Sequence, residues 1–449
     1  MSQPYPSYKD SGYEWLGQVP RTWPIVRLGT CFDERREKVS DKDFPALSVT
    51  MQGVVPQINT AARTNDGDNR KLVRVGDLVI NSRSDRMGSS GLAKQEGSVS
   101  LINTVLIPRS QIAPGFAEWI FRSRMFQHEF YRWGRGIVDD LWTTKYTEMR
   151  NIRLALPPFG EQRTIAAFLD RETGKIDAAV EEQRRLIALL KEKRQAVISH
   201  AVTKGLNPDA PMKPSGIDWL GDIPEHWAIG RLKHDLAFLT SGSRGWAAHY
   251  ADDGSLFLRI GNLTRETLGL SLDDVQRVAV PQGTEGERTR VQAGDLLFSI
   301  TAYLGSIAVV PDDLETAYVS QHVALARLRQ RRLRPKWAGY VTLSVVGRTY
   351  LDEQGYGGTK VQLALDDVAN LVMPIPPLDE QERILGYIET ETTELDTLIS
   401  EAETAIDLLQ ERRSALISAA VTGKIDVRDE VAEQQGEQSF EGIEASVGA

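Results

Sequence analysis

The chain has 449 residues, 53 Lys and Arg against 62 Asp and Glu, and a formal net charge of −9. That length exceeds one ordinary core, and at about 100–200 residues per domain it implies roughly two to four domains. Hydrophobic residues make up 41% and charged residues 26%, which excludes a collagenous, broadly disordered or membrane-embedded chain. The single Cys31 cannot form an internal disulfide, and no Cys/His group has zinc-ligand spacing, so a reducing, cytoplasmic setting and no metal are expected. The N-terminus lacks a signal-peptide pattern and no long apolar run is present, so neither export nor membrane insertion is expected.

In chain order, residues 9–28 read KDSGYEWLGQVPRTWPIVRL, and residues 213–232 repeat them as KPSGIDWLGDIPEHWAIGRL. Trp15, Pro20 and Trp23 recur as Trp219, Pro224 and Trp227, at an offset of 204. A variable stretch follows each copy. In the first, residues 77–81 form a short strand pattern, and residues 116–133 read as one helix with Trp119, Phe126 and Phe130 on a core-facing side. The second contains the corresponding strand pattern at 295–300, and Gly76-Asp77-Leu78 is echoed by Gly294-Asp295-Leu296.

Pro157-Pro158 and Pro376-Pro377 then open two proline-free segments, related at an offset of 219, that read as long helices. In the first, Leu169, Thr173, Ile176, Val180, Gln183, Ile187, Leu190, Arg194, Val197 and Ala201 step by four and three. The second repeats this seam as Ile388, Thr392, Leu395, Ile399, Ala402, Ile406, Leu409, Arg413, Leu416 and Ala420, with Thr and Arg at the same places. A helix of about 45 residues is roughly 65 Å long, which suits a spacer. The chain is therefore expected to be an α/β tandem repeat with two globular domains and two long helices. The expected boundaries are 1–155, 156–205, 206–374 (linker plus second domain), 375–425, and an acidic disordered tail at 426–449.

Regional counts change the meaning of the net charge. Residues 375–425 carry −7 and 426–449 carry −6, whereas the variable domains are +5 over 25–155 and neutral over 229–374. Arginine dominates both domains, including the run RLRQRRLRPK at 327–336, and suits bidentate contact with phosphate or guanine; a solvated basic face is the competing use. The chain lacks a phosphate-binding Gly-rich loop and a serine-nucleophile elbow. Leu156-Pro157-Pro158-Phe159 lacks the polar first side chain of an amino-methyltransferase loop, so no enzyme activity is expected.

The WLG-x-[IV]-P-x-x-W opening, the variable domain, the PP-x-x-EQ helix start and the long helix ending in AVT, all present twice, resemble the specificity (S) subunit of type I restriction-modification systems. The resemblance implies two target recognition domains separated by an antiparallel coiled coil, in pseudo-two-fold arrangement. It implies double-stranded DNA, two methyltransferase (M) subunits and restriction (R) subunits as partners. S-adenosylmethionine, ATP and Mg would lie on those partners, with no cofactor on this chain. A bipartite, asymmetric target follows from two different readers on one spacer. Recognition loops of the family resemble residues 81–91, 132–146, 299–306 and 355–362, which nominates Arg83, Arg86, Arg135, Lys145, Tyr303 and Lys360 as DNA contacts. The competing reading is a duplicated coiled-coil adaptor that joins proteins without touching DNA.

Overall fold

The computed structural model describes residues 4–58, 67–136, 142–242, 244–280, 284–356 and 361–428. Two compact units are present: residues 1–184 with 404–449, and residues 185–403. Their boundaries fall inside the long helices, Phe159–Lys204 and Leu378–Val421, so each unit contains part of both.

In the first unit an antiparallel four-stranded sheet runs in the order Ser90–Leu92, Leu78–Asn81, Asn103–Pro108, Phe32–Glu34. In the second unit the order is Ile307–Val309, Leu296–Ser299, Val323–Leu328, Leu236–Ser241. The same sheet is thus built twice from stretches with little shared sequence. The Gly-Asp-Leu echo marks its shared corner. Gly76 and Gly294 take φ of 89° and 79°, which suits glycine, and the next aspartate accepts a backbone N–H from Arg74 or Gln292 at 2.8 and 2.7 Å. Asp77 is then held by Arg35 at 2.7 Å and Asp295 by Arg327 at 2.7 Å. Arg35 directly follows the strand Phe32–Glu34 whereas Arg327 lies on Val323–Leu328, yet the two perform the same neutralisation.

The units differ in their second sheet. The first has Gly97–Ser100, Arg70–Val73 and Lys38–Val39. The second has four strands, including a parallel pair between Ser255–Leu258 and Ala317–Val319.

The expected single helix at 116–133 is two helices, Pro114–Arg122 and Arg124–Arg132. Ser123 breaks it: its ψ is 135°, and its side chain caps the second helix by accepting the Phe126 N–H at 3.3 Å. Ser344 does the same between Pro335–Leu343 and Val345–Gln354. Trp119, Phe126 and Phe130 are all buried, as a core face requires.

Trp23 packs in one core with Phe32, Phe116, Phe121, Ile165 and Leu169, joined by Ile417 and Ala420 from the second helix. Trp227, Trp337 and Phe298 form the main core of the second unit, with Ile198 and Ala201 from the first helix and Ile384 and Ile388 from the second. Burying each such aromatic contributes about 1.5–3 kcal/mol.

Disorder was expected from residue 426, but the structure corrects this for 426–428. Val427 is fully buried in the first core, and Arg428 pairs with Asp426 and lies 5.0 Å from the Tyr5 ring centre. Residues 429–449 lie outside the described residues.

Candidate nucleic-acid interface

Each variable stretch is fastened to a helix start by one glutamine. Gln162 accepts the Ala113 N–H at 2.7 Å and donates to the carbonyls of Gln111 and Pro157 at 3.0 and 2.9 Å. Its repeat, Gln381, accepts the Arg334 N–H at 2.9 Å and donates to the carbonyls of Arg332 and Pro376 at 2.8 and 2.9 Å. Both are fully buried. This is the physical content of the PP-x-x-EQ motif: Ala113 and Arg334 cap helices opening at Pro114 and Pro335, so each glutamine ties two helix starts together.

The seam residues show graded burial. Leu169, Ile176, Val180, Ile388, Leu395 and Ile399 are buried, while Ile187, Leu190, Val197, Ile406, Leu409 and Leu416 are half-buried. The polar seam positions make matched bonds. Thr173 donates to the Leu169 carbonyl at 2.5 Å and Thr392 to that of Ile388 at 2.7 Å.

In the first unit, the structure brings four nominated residues into one loop cluster. Arg83 and Arg135 each form an antiparallel bridge with Thr143, and Lys145 follows two residues later, exposed, as the cap of a short helix. Arg83 is half-exposed and paired with Asp85 at 2.8 Å; Arg86 is more exposed and stands 3.8 Å from the same carboxylate. Sharing one acid between two arginines leaves net positive charge there.

Beside Arg86 lies a cleft of about 540 Å³, lined by Ser48, Thr50, Gln57, Asn81, Ser89 and Asn103 among others. The strand Leu47–Thr50 of the hairpin it makes with Gly53–Pro56 forms one wall. The hairpin approaches closely because both facing residues are glycine: a Cβ on Gly91 would stand 2.6 Å from the Gly53 Cα. Asn103 lines this cleft; its buried Oδ1 has no hydrogen-bond partner among the described residues.

In the second unit, Tyr303 is 61% exposed on the turn after Leu296–Ser299, while Lys360 lies outside the described residues. The run at 327–336 is largely neutralised. Arg327 pairs with Asp295, Arg332 with Asp235, Arg334 with Glu382 and Lys336 with Glu389, at 2.6–2.8 Å. Its role is to bind the sheet and the second long helix, which local charge counting could not reveal.

Among the described residues, no group of three or more His, Cys, Asp or Glu could hold a metal, and no helix is long and apolar enough to cross a membrane.

A duplicated α/β fold, with a polar, arginine-bearing loop cluster on one copy and two long shared helices, defines a tandem-repeat scaffold protein. No protein-family model matches the chain. It is 22% identical over 444 residues to the type I restriction enzyme MjaVIII specificity subunit of Methanocaldococcus jannaschii, covering 94% of this chain and 98% of that protein. It is 23% identical over 292 residues to the type I restriction enzyme EcoBI specificity subunit of Escherichia coli, covering 63% and 61%. Among solved structures, a chain from work on complex assembly and conformational transition of the type I R-M system superimposes with a TM-score of 0.65 at 19% identity, covering 91% and 99%. The HsdS subunit from Thermoanaerobacter tengcongensis gives 0.50 at 19% identity, covering 93% and 100%. The structural likeness is one of fold. Specificity subunits of type I restriction enzymes are homologues of this chain.

Proposed function

We propose that this chain is the DNA-reading specificity subunit of a type I restriction-modification complex, without catalysis of its own. The observation that carries the reading is the near full-length match to a specificity subunit, on a frame kept twice around divergent domains. The loop cluster around Arg83, Arg86, Arg135 and Lys145 supports DNA contact, since exposed arginines among small polar side chains suit phosphates and base edges.

The target is double-stranded DNA, read as a bipartite asymmetric site. The two long helices act as an antiparallel coiled-coil spacer that sets the unread gap. Two methyltransferase subunits gather on this chain, and restriction subunits join through them. S-adenosylmethionine, ATP and Mg belong to those partners, and the assembly works in the cytoplasm.

The test is methylome sequencing of a host carrying this chain with its methyltransferase. The expected result is one motif of two different halves around a fixed gap. Excising residues 183–189 together with 402–408 should shorten the gap and leave both halves intact. An assembled complex without any sequence motif would favour the adaptor reading.

A further inference from the structure

The two recognition stretches share almost no sequence around their loops, yet their backbone hydrogen bonds superimpose one for one. In the first unit, Thr144 N–H donates to Ser82 and Ser84 N–H to Trp142, at 2.9 Å each, while Arg135 and Thr143 exchange bonds at 3.2 and 3.1 Å. In the second unit, Leu363 N–H donates to Ile300 and Ala302 N–H to Val361, at 3.0 Å each, while Tyr356 and Gln362 exchange bonds at 3.1 and 2.8 Å. This register equates Arg83 with Thr301, Thr143 with Gln362, and Arg135 with Tyr356. The isolated bridges agree: Arg83 and Arg135 both pair with Thr143, and Thr301 and Tyr356 both pair with Gln362.

Directly paired residues on neighbouring strands project their side chains to the same face. Each unit therefore carries a row of three side chains on three adjacent backbone segments: Arg83, Thr143, Arg135 in one, and Thr301, Gln362, Tyr356 in the other. Two strand spacings make such a row about 10 Å long. At about 3.4 Å per base step along a strand, that span matches roughly three base pairs.

From this register we infer that Tyr356 and Gln362 determine the base preference of the second unit, as Arg135 does for the first. The inference rests on the DNA-reading function proposed above and replaces Tyr303 and Lys360 as the principal candidates there. Tyr356 is 56% exposed, Gln362 is exposed, and neither side chain has a partner among the described residues. Thr301 supports them and is itself buried: the His322 Nδ1 stands 3.2 Å from its hydroxyl, and its carbonyl accepts the Ser299 hydroxyl at 3.1 Å. Ala302 beside it has a φ of 67°, a left-handed conformation that L-alanine rarely adopts. Strained backbone of this kind clusters where a loop must hold a fixed geometry for a ligand. Gln362 can pair with an adenine edge through both amide atoms, and Tyr356 offers an aromatic face and a hydroxyl.

The experiment maps methylated sites made by the intact complex with its methyltransferase. Tyr356→Ala and Gln362→Ala should each relax discrimination at a position in one half of the motif by about tenfold. Arg135→Ala should do so in the other half, and Tyr303→Ala should leave the motif unchanged. Gln362→Glu preserves size and should shift preference at its position towards cytosine, whose exocyclic amine donates to a carboxylate. The inference is overturned if Gln362→Glu and Tyr356→Ala both keep the original motif, if only Tyr303→Ala relaxes it, or if Arg135→Ala and Tyr356→Ala alter the same half. A wild-type complex that methylates without any motif would sink the DNA reading itself, whereas an unchanged wild-type motif across these variants overturns only this assignment.

Discussion

Arg194 of the first long helix stands 2.9 Å from Asp396 of the second, and one repeat later Arg413 holds Asp177 at 2.8 Å. Both partners move by the same offset of 219, so the arginine of each copy meets the aspartate of the other. One ion pair lies inside each compact unit, so each unit repeats the other's helix-to-helix contact with the roles of the two helices exchanged.

The two pairs should differ in strength. The Arg194 side chain is 8% exposed and also donates to the Glu266 carbonyl, whereas that of Arg413 is 29% exposed. Arg194→Met should cost about 2 kcal/mol, because the Glu266 carbonyl loses a charged donor and Asp396 loses its ion-pair partner. Arg413→Met should cost about 0.5 kcal/mol, as for exposed pairs. Urea unfolding of both variants checks the order, and equal losses would contradict it.

Removing a glutamine fastener should be costlier. Gln162→Ala and Gln381→Ala each leave one N–H and two carbonyls without their partner, worth about 3 kcal/mol. Gln162→Glu places a carboxyl against two carbonyl oxygens, which favours its protonated form. Its folded pKa is then raised above the usual carboxylate value, so the variant approaches wild type below about pH 4 and weakens as pH rises through that range. Thermal melts of variant and wild type across pH read the difference directly.

Tyr5 donates to Glu161 at 2.6 Å; burial, then that bond, push its phenol well above the ordinary value. A raised folded pKa contributes stability that is present below about pH 10 and is lost as pH climbs beyond it. Tyr5→Phe should remove that alkaline loss while costing about 1 kcal/mol at neutral pH. Unfolding curves on either side of pH 10 separate the two effects.

Cys31 is fully buried, and burial pushes its thiol up. Alkylation in the native protein should be slower by about a hundredfold or more than in urea, because reaction needs local opening. Comparable rates would show that the first core opens readily.

The duplicated ends, the long helices and the Gly-Asp-Leu corners are written in local patterns and were legible in the sequence. Pairings between distant strands were not. The bridges from Arg83 to Thr143 and from Gln362 to Tyr356 depend on backbone bonds that no residue type announces, so Thr143, Tyr356 and Gln362 carry no signal of their own within residues 132–146 and 355–362. The break at Ser123 was hidden because the apolar spacing continues across it. The arginine run at 327–336 looked like a surface feature because its acidic partners lie as far away as Asp235 and Glu389.

Every bond made by Gln162 and Gln381 goes to main-chain atoms. A clasp that touches only peptide groups is indifferent to the side chains of whatever it holds. The stretches between the repeats can therefore change every side chain they present without loosening the clasp, given a proline-led helix at the right place.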